Sequence, residues 1–237
     1  MPVSAGRVLD LSGVSKDYRG LRPLRIEHLE VGAGEPIAII GLDQVTAEVL
    51  VNLVTGATLP DRGEVNLFGR STASIADSAE WLAVVDRFGI VSERAVLLEG
   101  LSVIQNLAMP FTLDIEPPPE DIRARAAALA REVELPEPAW TRPVAELDRA
   151  ERVRLRWARA LALDPAIIVL EHPTAGLPRD AVAPLAGHMR AIAERRGAAI
   201  LAATADEEFA AAVARRVLWL DPATGRLKER RGWFRRS

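Results

Sequence analysis

Short apolar runs alternate with amphipathic helical segments in the second half of the chain, and no other feature constrains the fold as strongly. The runs are AIIVLEHP (166–173), AAILAAT (198–204) and VLWLD (217–221). A strand in which nearly every residue is apolar is typically buried on both faces of a sheet. Helices that connect such strands cover the two faces. The sequence therefore predicts an α/β fold with a mostly parallel sheet and helices on both faces.

Apolar residues at helical spacing mark the helices themselves. Val182, Leu185, Met189 and Ile192 share one face of a helix that we expect to stop near Gly197. Two earlier helices are predicted at 120–135, after the PPP break at 117–119, and at 147–165. A last helix is predicted at 206–216.

The first part of the chain predicts strands joined by turns. The candidate strands are RVLDLSGVS (7–15), LRIEHLEV (24–31), PIAIIG (36–41), GEVNLFG (63–69) and FGIVS (88–92). We expect N-terminal antiparallel strands and a single domain over residues 1–237. The mainly helical stretch from about 90 to 155 is predicted to form a subdomain within it.

Composition excludes several classes of site. The chain has no cysteine, so disulfides and thiolate metal sites are excluded, and His28, His172 and His188 are too scattered to predict a metal cluster. The net charge of −3 gives no indication of nucleic-acid binding. No apolar stretch approaches the length that spans a membrane. The basic tail at 226–237 is interpreted either as a solvated terminus or as a contact for anionic lipid or an acidic partner.

The segment IIGLDQVTAEVLVNLVTG (39–56) begins like a phosphate-binding loop. Strand, glycine and helix follow in the right order, with Val45, Val49 and Leu53 on one predicted helix face. A P-loop requires G-x-x-x-x-G-K-[ST], and the last three positions here are Thr46, Ala47 and Glu48. Two interpretations remain: a nucleotide site, or a strand-to-helix turn that Asp43 and Glu48 stabilise through the helix dipole.

Taken together, several stretches resemble the ATP-binding subunit of an ABC transporter over almost the whole chain. They are VSKDYRGL, the segment from IAIIG to NLFG, FGIVSERAVLLEGLSVIQNLAMP, the segment from ELDRAERVRLRWARALALDP to EHPTAGL, and LAATADEEFAAAVARRVLWLD. The resemblance implies a P-loop NTPase-like fold. Its nucleotide-binding positions would be Tyr18 for adenine stacking, Gly41 and Thr46 in the P-loop, Glu93 in the Q-loop and Glu171 in Walker B.

The departures from the family pattern fall on the reactive positions. Ala47 replaces the P-loop lysine, and His172 replaces the catalytic glutamate. Further changes are Glu93 for the Q-loop glutamine, Leu147–Glu151 (LDRAE) for L-S-G-G-Q, Glu171 for the Walker B aspartate, Pro178 for the D-loop aspartate and Ala205 for the switch histidine. We therefore predict a pseudo-ATPase with no catalytic residue, no metal site and no expected cofactor. ATP and magnesium would bind only if the family activity survives.

Alternatives stay open at single sites. Asp148 and Glu151 are interpreted as an acidic capping box rather than a phosphate contact. His172 is interpreted as a structural strand-end residue, and Tyr18 as packing or stacking. An active ATPase would need a substitute cation, for which Arg62 or Arg94 would have to reach the site.

The resemblance also implies partners and a location. A transmembrane permease would bind the segment 92–110, in which Leu97, Leu98, Leu101 and Val103 are either contacts or core. An active ABC ATPase subunit is a possible second partner. The implied location is cytoplasmic, peripheral on the cytoplasmic face of the inner membrane. A soluble regulatory protein without a permease is the alternative function.

Overall fold

A computed structural model describes residues 6–229. One sheet contains β1 (Arg7–Lys16), β2 (Leu24–Gly32), β4 (Arg62–Leu67) and β5 (Arg70–Ser71) in the order β2-β1-β4-β5, with antiparallel neighbours. The other contains β3 (Pro36–Ile40), β6 (Phe88–Val91), β7 (Ile167–Glu171), β8 (Ala199–Ala203), β9 (Arg216–Leu220) and β10 (Leu227–Glu229), in the order β10-β9-β3-β8-β7-β6. All its neighbours are parallel except β9 and β10.

The helices are α1 (Gln44–Val54), α2 (Ser78–Val85), α3 (Val103–Ala108), α4 (Glu120–Glu132), α5 (Arg149–Ala160), α6 (Arg179–Arg196) and α7 (Glu207–Val213). None of them, within residues 6–229, is both long and apolar enough to cross a membrane. The predicted α/β fold with a mostly parallel sheet and N-terminal antiparallel strands is confirmed.

The parallel sheet is buried because its central strands are apolar throughout. Every residue of β3, β7 and β8 is buried. Alternate residues point to opposite faces, so Ile37 and Ile39 join a cluster with α1 and the antiparallel sheet, whereas Ala38 and Ile40 join a cluster with α6 and α7. Buried residues of α3, α4 and α5 belong to this second cluster, so the helical stretch shares a core with the sheet.

Helix ends agree with the sequence in some places and not in others. The helix α6 ends at Gly197, which has φ of 67° and adopts the left-handed conformation that suits a glycine C-cap. The helix predicted over 147–165 is shorter, because Asp148 is its N-cap and regular structure stops at Ala160. The helix predicted over 120–135 ends at Glu132.

The predicted face of α1 that carries Val45, Val49 and Leu53 is only partly buried, since Leu53 is buried, Val49 is half-buried and Val45 is exposed. The helix buries Ala47, Leu50, Val51, Leu53 and Val54, whereas Val45 is 54% exposed. Residues at i, i+3, i+4 and i+7 share a helix face, and here that face starts at Ala47. Val45 lies in the first turn, on the side away from the sheet.

Candidate functional site

The turn from β3 into α1 is built as a capped helix start. Gly41 has φ of 90°, a backbone conformation that favours glycine. Asp43 is the N-cap of α1, and its Oδ1 accepts a hydrogen bond from the Thr46 backbone N–H at 2.7 Å. Hydrogen bonds from the Thr46 hydroxyl and the Thr46 N–H lower the pKa of the Asp43 carboxyl below its ordinary value. The capping interpretation of Asp43 is confirmed by these contacts.

Tyr18 lies against the same helix start. Its hydroxyl is 3.0 Å from Oγ1 of Thr46, and the ring packs beside the core cluster that contains α1. Either of these two hydroxyls could be the donor. A Cβ built at Gly20 would lie 2.5 Å from the Tyr18 ring, so a larger residue at position 20 would have to displace the ring. The ring thus makes packing contacts at this helix start.

Arg94, just after β6, reaches across the end of the sheet to Glu171. Its Nη2 and Nε lie 2.8 Å and 3.2 Å from Oε2 of Glu171, the last residue of β7. The Glu171 side chain is 0% exposed, and its Oε1 also accepts a hydrogen bond from Nε2 of Gln44 at 2.9 Å. The Nη1 of Arg94 lies 3.2 Å from Oε1 of Glu48. The hydrogen bonds to Glu171 raise the pKa of Arg94 above its ordinary value.

We call Gln44, Glu48, Arg94 and Glu171 the Arg94 network. Sequence reasoning placed Glu48 with Asp43 at the helix start, and this was wrong: Glu48 lies in the second turn and pairs with Arg94. Arg94 does reach the P-loop region, as one alternative required. Arg62 instead opens β4 and lines a separate polar pocket with Asp17 and Asp61.

The start of α5 is held by a capping box, as predicted. Oδ1 of Asp148 accepts from the Glu151 N–H at 2.8 Å, and Oε2 of Glu151 accepts from the Asp148 N–H at 2.9 Å. Next to it, Arg149 donates to Glu93 at 2.9 Å. The guanidinium of Arg149 also lies over Gly176, where a Cβ would come within 2.7 Å of it. The Q-loop and signature positions of the resemblance are therefore bonded to each other.

His172 follows Glu171 at the end of β7, with φ of 42°. Its backbone N–H donates to the Ala203 carbonyl at 2.9 Å. Its Nε2 is buried and has no hydrogen-bond partner among residues 6–229. Ala205, at the switch-histidine position, is exposed, and Pro178 is the N-cap of α6. Neither side chain can orient the His172 imidazole by a hydrogen bond.

The segment 92–110 divides into core and surface. Leu97 is 6% exposed and Val103 is fully buried, and both belong to the core. Leu98 is 37% exposed and Val96 is 72% exposed. Leu97 was thus wrong as a surface contact. The chain has no regular structure between Val91 and Val103, so no sequence period separates the inward residues from the outward ones.

One cluster of possible metal ligands escaped the sequence analysis. Side-chain ligand atoms of Asp10, His28 and Glu30 lie within 4.8 Å of one another. They meet because β1 and β2 pair with Asp10 opposite Glu30 and Ser12 opposite His28. Arg7 bonds to Glu30 at 2.8 Å and to Asp10 at 3.4 Å. The guanidinium already supplies a cation to this group.

The tail predicted at 226–237 is described only in part. Residues up to Glu229 form β10, and Arg226 bonds to Glu27 at 3.0 Å. Residues 230–237 lie outside the described residues.

Comparisons with known proteins found a matching family model and similar proteins. A family model described as "ABC transporter" matches residues 24–175. The lipoprotein-releasing system ATP-binding protein LolD of Alcanivorax borkumensis is 33% identical over 191 residues, 81% of this chain and 83% of that protein. LolD of Chromohalobacter salexigens is 30% identical over 226 residues, 94% of this chain and 93% of that protein.

Solved structures share the fold. The ATP-binding cassette MJ0796, a dimer in a post-hydrolysis state bound to ADP and Pi, superposes with a TM-score of 0.78 and 24% identity. The superposition covers 95% of this chain and 100% of that one. At this identity the likeness concerns the fold alone.

Proposed function

This chain belongs to the ABC transporter family, and we propose that it is a non-catalytic ATP-binding-type subunit of a membrane transport complex. The observation that carries the proposal is the Arg94 network. Its guanidinium is bonded to Glu171, at the Walker B position, and to Glu48, at the P-loop hydroxyl position. The polar groups that a nucleotide site would offer to magnesium and phosphate are thus bonded to one another.

The local charge opposes a polyphosphate. The carboxylates of Asp43, Glu48 and Glu171 lie around α1 and the end of β7, and among these contacts only Arg94 supplies a cation. A P-loop holds phosphate with backbone N–H groups and one lysine. Here the Thr46 N–H is bonded to Asp43, and Ala47 is fully buried without a charge. Arg94 cannot replace the lysine without leaving Glu171 unpaired.

Magnesium nucleotide does not fit these residues. Glu171 could offer an oxygen ligand, but both of its oxygens already accept hydrogen bonds from Arg94 or Gln44. Within residues 6–229 the Nε2 of His172 has no hydrogen-bond partner that would orient it as a general base. We therefore assign no hydrolytic step. Tyr18, Gly41, Thr46 and Glu93 correspond to nucleotide-binding positions of the family, and we assign them no nucleotide-binding role in this chain.

A nucleotide titration tests this proposal. The purified chain is unfolded by heat with and without millimolar Mg-ATP, and phosphate release is followed in parallel. We expect no stabilisation and no turnover. Stabilisation of about 2.7 kcal/mol, the amount for a ligand 100-fold above its Kd, or turnover that Glu171→Ala abolishes, would contradict the proposal. The matched control is Glu48→Gln, which removes one repelling charge; any affinity that it gains would locate the repulsion at α1.

We further propose that a transmembrane permease is the main partner, and that the chain lies peripherally on the cytoplasmic face of the inner membrane. An active ABC ATPase subunit is a possible additional partner. The relatives support this because two of them are named as ATP-binding proteins of a lipoprotein-releasing system. We interpret residues 1–237 as a single nucleotide-binding-type domain, with residues of about 90–155 as its helical subdomain. Exposed Val96 and Leu98 are the apolar contacts offered by the segment 92–110.

Charge substitutions separate contact from core in this segment. Leu98→Glu is expected to reduce binding to native membrane vesicles while leaving the circular-dichroism melt nearly unchanged. Leu97→Glu is expected to unfold the chain because Leu97 is 6% exposed. Leu113→Glu, at an apolar residue that is 95% exposed elsewhere, is the control for added surface charge. Unchanged membrane binding by Leu98→Glu would remove this segment from the interface.

A further inference from the structure

Four arginines form a stripe along α5. Arg149, Arg152, Arg156 and Arg159 are spaced by three, four and three residues, so they share one face of the helix. The first two are neutralised by the segment after β6. Arg149 bonds to Glu93 at 2.9 Å, and Arg152 bonds to both oxygens of Glu99 at 2.6 Å and 3.0 Å.

The last two arginines form no ion pair with a carboxylate within residues 6–229, although the charges of Glu93 and Glu99 attract Arg156 without bonding to it. Arg156 makes no hydrogen bond there either, and its Nε is buried. Among the described residues, the Nη1 of Arg159 donates only to the Val96 carbonyl, at 2.5 Å. Burial lowers the pKa of both guanidinium groups, and their mutual repulsion lowers that of Arg159 further. Buried charges are normally paired, but the stripe ends in two partly buried cations that form no ion pair within residues 6–229, because Glu93 and Glu99 are bonded to Arg149 and Arg152.

These two arginines line a cavity of about 230 Å³, which we call the α5 cavity. The rest of its lining is apolar and consists of Phe88, Ile90, Ala95, Pro110, Ala160 and Leu163. Leu163 in the lining is 48% exposed, and Val96, which lies outside the lining, is an exposed apolar residue at 72%. Both guanidinium groups therefore come from α5, and the other side chains that line the cavity are apolar.

We propose that the α5 cavity receives the carboxylate of an aspartate or glutamate side chain from the membrane subunit. This inference rests on the proposed function, since it assumes that such a subunit binds. A carboxylate on an apolar segment matches the lining, because its oxygens meet the guanidinium groups while neighbouring apolar residues cover the walls. Charge complementarity of this kind fixes partner choice and register.

The lining favours a protein side chain over a lipid phosphate. Arginine binds carboxylates and phosphates alike, but a phosphate carries polar oxygens on all sides, and those that face an apolar wall would lose their hydrogen bonds at a cost in free energy. The donors of the α5 cavity lie on the α5 side, and the other walls offer Phe88, Ile90 and Leu163. A carboxylate has its two oxygens at one tip and an apolar stem behind them, which matches a cavity with donors on one side.

Binding to native membranes provides the first test. Inner-membrane vesicles from a source strain that lacks this chain are mixed with purified wild-type protein or variants, and the bound fraction is measured. Arg156→Met is expected to weaken binding at least about tenfold, because a partner carboxylate would be buried without its cation. Arg156→Lys should restore part of the loss. Arg190→Met, which removes an arginine of α6 outside the cavity lining, is the control and should bind as wild type.

A stability measurement keeps this result interpretable. Arg156→Met removes a cation that forms no hydrogen bond or ion pair within residues 6–229, so its melting temperature should be equal to or above that of the wild type. Weaker binding together with equal or higher stability supports the proposal. Weaker binding with a clearly lower melting temperature would overturn it, because Arg156 would then act in folding.

A photocrosslinker at position 163 identifies the partner residue. The crosslinked peptide of the membrane subunit is expected to contain an aspartate or glutamate, and exchanging that residue for arginine should restore binding to Arg156→Glu. A crosslinked peptide without an acidic residue overturns the inference. Binding to protein-free phosphatidylethanolamine–phosphatidylglycerol vesicles (3:1) with the same dependence on Arg156 also overturns it in favour of a lipid phosphate.

The outcomes distinguish the two proposals. If wild-type chain does not bind the native vesicles, the permease partner and this inference both fail. If wild-type chain binds and Arg156→Met binds equally well, only the inference about the α5 cavity fails. The nucleotide titration tests the proposed lack of catalysis, and its outcome does not depend on either of these binding results.

Discussion

Two arginines of this chain, Arg94 and Arg156, differ in whether their guanidinium groups are bonded to carboxylates. Arg94 donates to two carboxylates, one of them fully buried, whereas Arg156 has a buried Nε and no partner within residues 6–229. Arg94 lies in the segment that follows β6, and Arg156 lies on α5. The comparison shows that the two regions differ in how their charges are paired. Arg94 pairs with carboxylates of the same chain at the end of β7, whereas the α5 cavity holds an arginine charge with which another molecule can pair.

The largest expected effect comes from breaking the ion pair between Arg94 and Glu171. Arg94→Met leaves Glu171, whose side chain is 0% exposed, with only Gln44 as a hydrogen-bond donor. Removal of one member of a buried ion pair typically costs about 3–5 kcal/mol. We expect a loss of about 3 kcal/mol in the free energy of unfolding, measured by urea denaturation, because Arg94 itself is partly exposed. The double variant Arg94→Met/Glu171→Leu should recover much of this loss; no recovery would mean that the two residues are not energetically coupled.

The capping box extends the comparison to the start of α5. Asp148→Ala removes the hydrogen bond that the Asp148 carboxylate accepts from the Glu151 N–H, and this is expected to cost about 1–2 kcal/mol in urea denaturation. Asp148→Ser is the matched control, because serine is an equally good N-cap. If both variants lose the same stability, the charge of Asp148 and not its capping bond holds the helix start.

Arg152 and Arg156 allow an arginine that forms an ion pair to be compared with one that does not, on the same helix. Arg152→Met breaks the bonds to Glu99 and to two backbone carbonyls, so we expect a loss of about 1 kcal/mol. Arg156→Met should change the free energy of unfolding by less than about 0.5 kcal/mol or increase it. Thermal and urea denaturation of the two variants side by side would measure the difference. Equal losses would show that position alone, and not pairing, determines the cost.

The smallest effect concerns pH. The pKa of Asp43 is lowered in the folded chain by the hydroxyl and N–H of Thr46, so ionised Asp43 stabilises the fold above the carboxyl's ordinary pKa. This contribution is lost as pH falls through the lowered value. Asp43→Asn keeps a capping side chain without the titration, so its stability should fall less than that of the wild type between pH 5 and pH 3. Urea midpoints at several pH values test this; parallel curves would refute it.

The sequence was most informative where local chemistry decides the structure. All-apolar runs specified β7 and β8, and the glycine after α6 marked its end. Asp148 and Glu151 form a capping box because both bonds lie within four residues. Such features depend on residues that are close together in the sequence, so they can be predicted from residue type and spacing.

Contacts between distant segments were harder to predict. Arg94 and Glu171 are separated by 77 residues, and only the pairing of β6 with β7 brings them together. The sequence named Arg94 as a possible substitute for the P-loop lysine, whereas the guanidinium pairs with the carboxylates instead. Asp10 and Glu30 likewise meet through strand register. Leu97 and Leu98 are adjacent in sequence and differ in burial because the backbone there is irregular.

The Arg94 network also limits how such a chain can change over generations. A replacement of Arg94 strands the buried carboxylate of Glu171, and a lysine at Ala47 would have to enter a position that is fully buried. A glycine at Thr46 would remove the hydroxyl bonded to Tyr18. Each single substitution toward the P-loop sequence is thus expected to lower stability before it creates any ligand contact. Several substitutions would therefore have to occur together for a loop of that sequence to be gained without a loss of stability on the way.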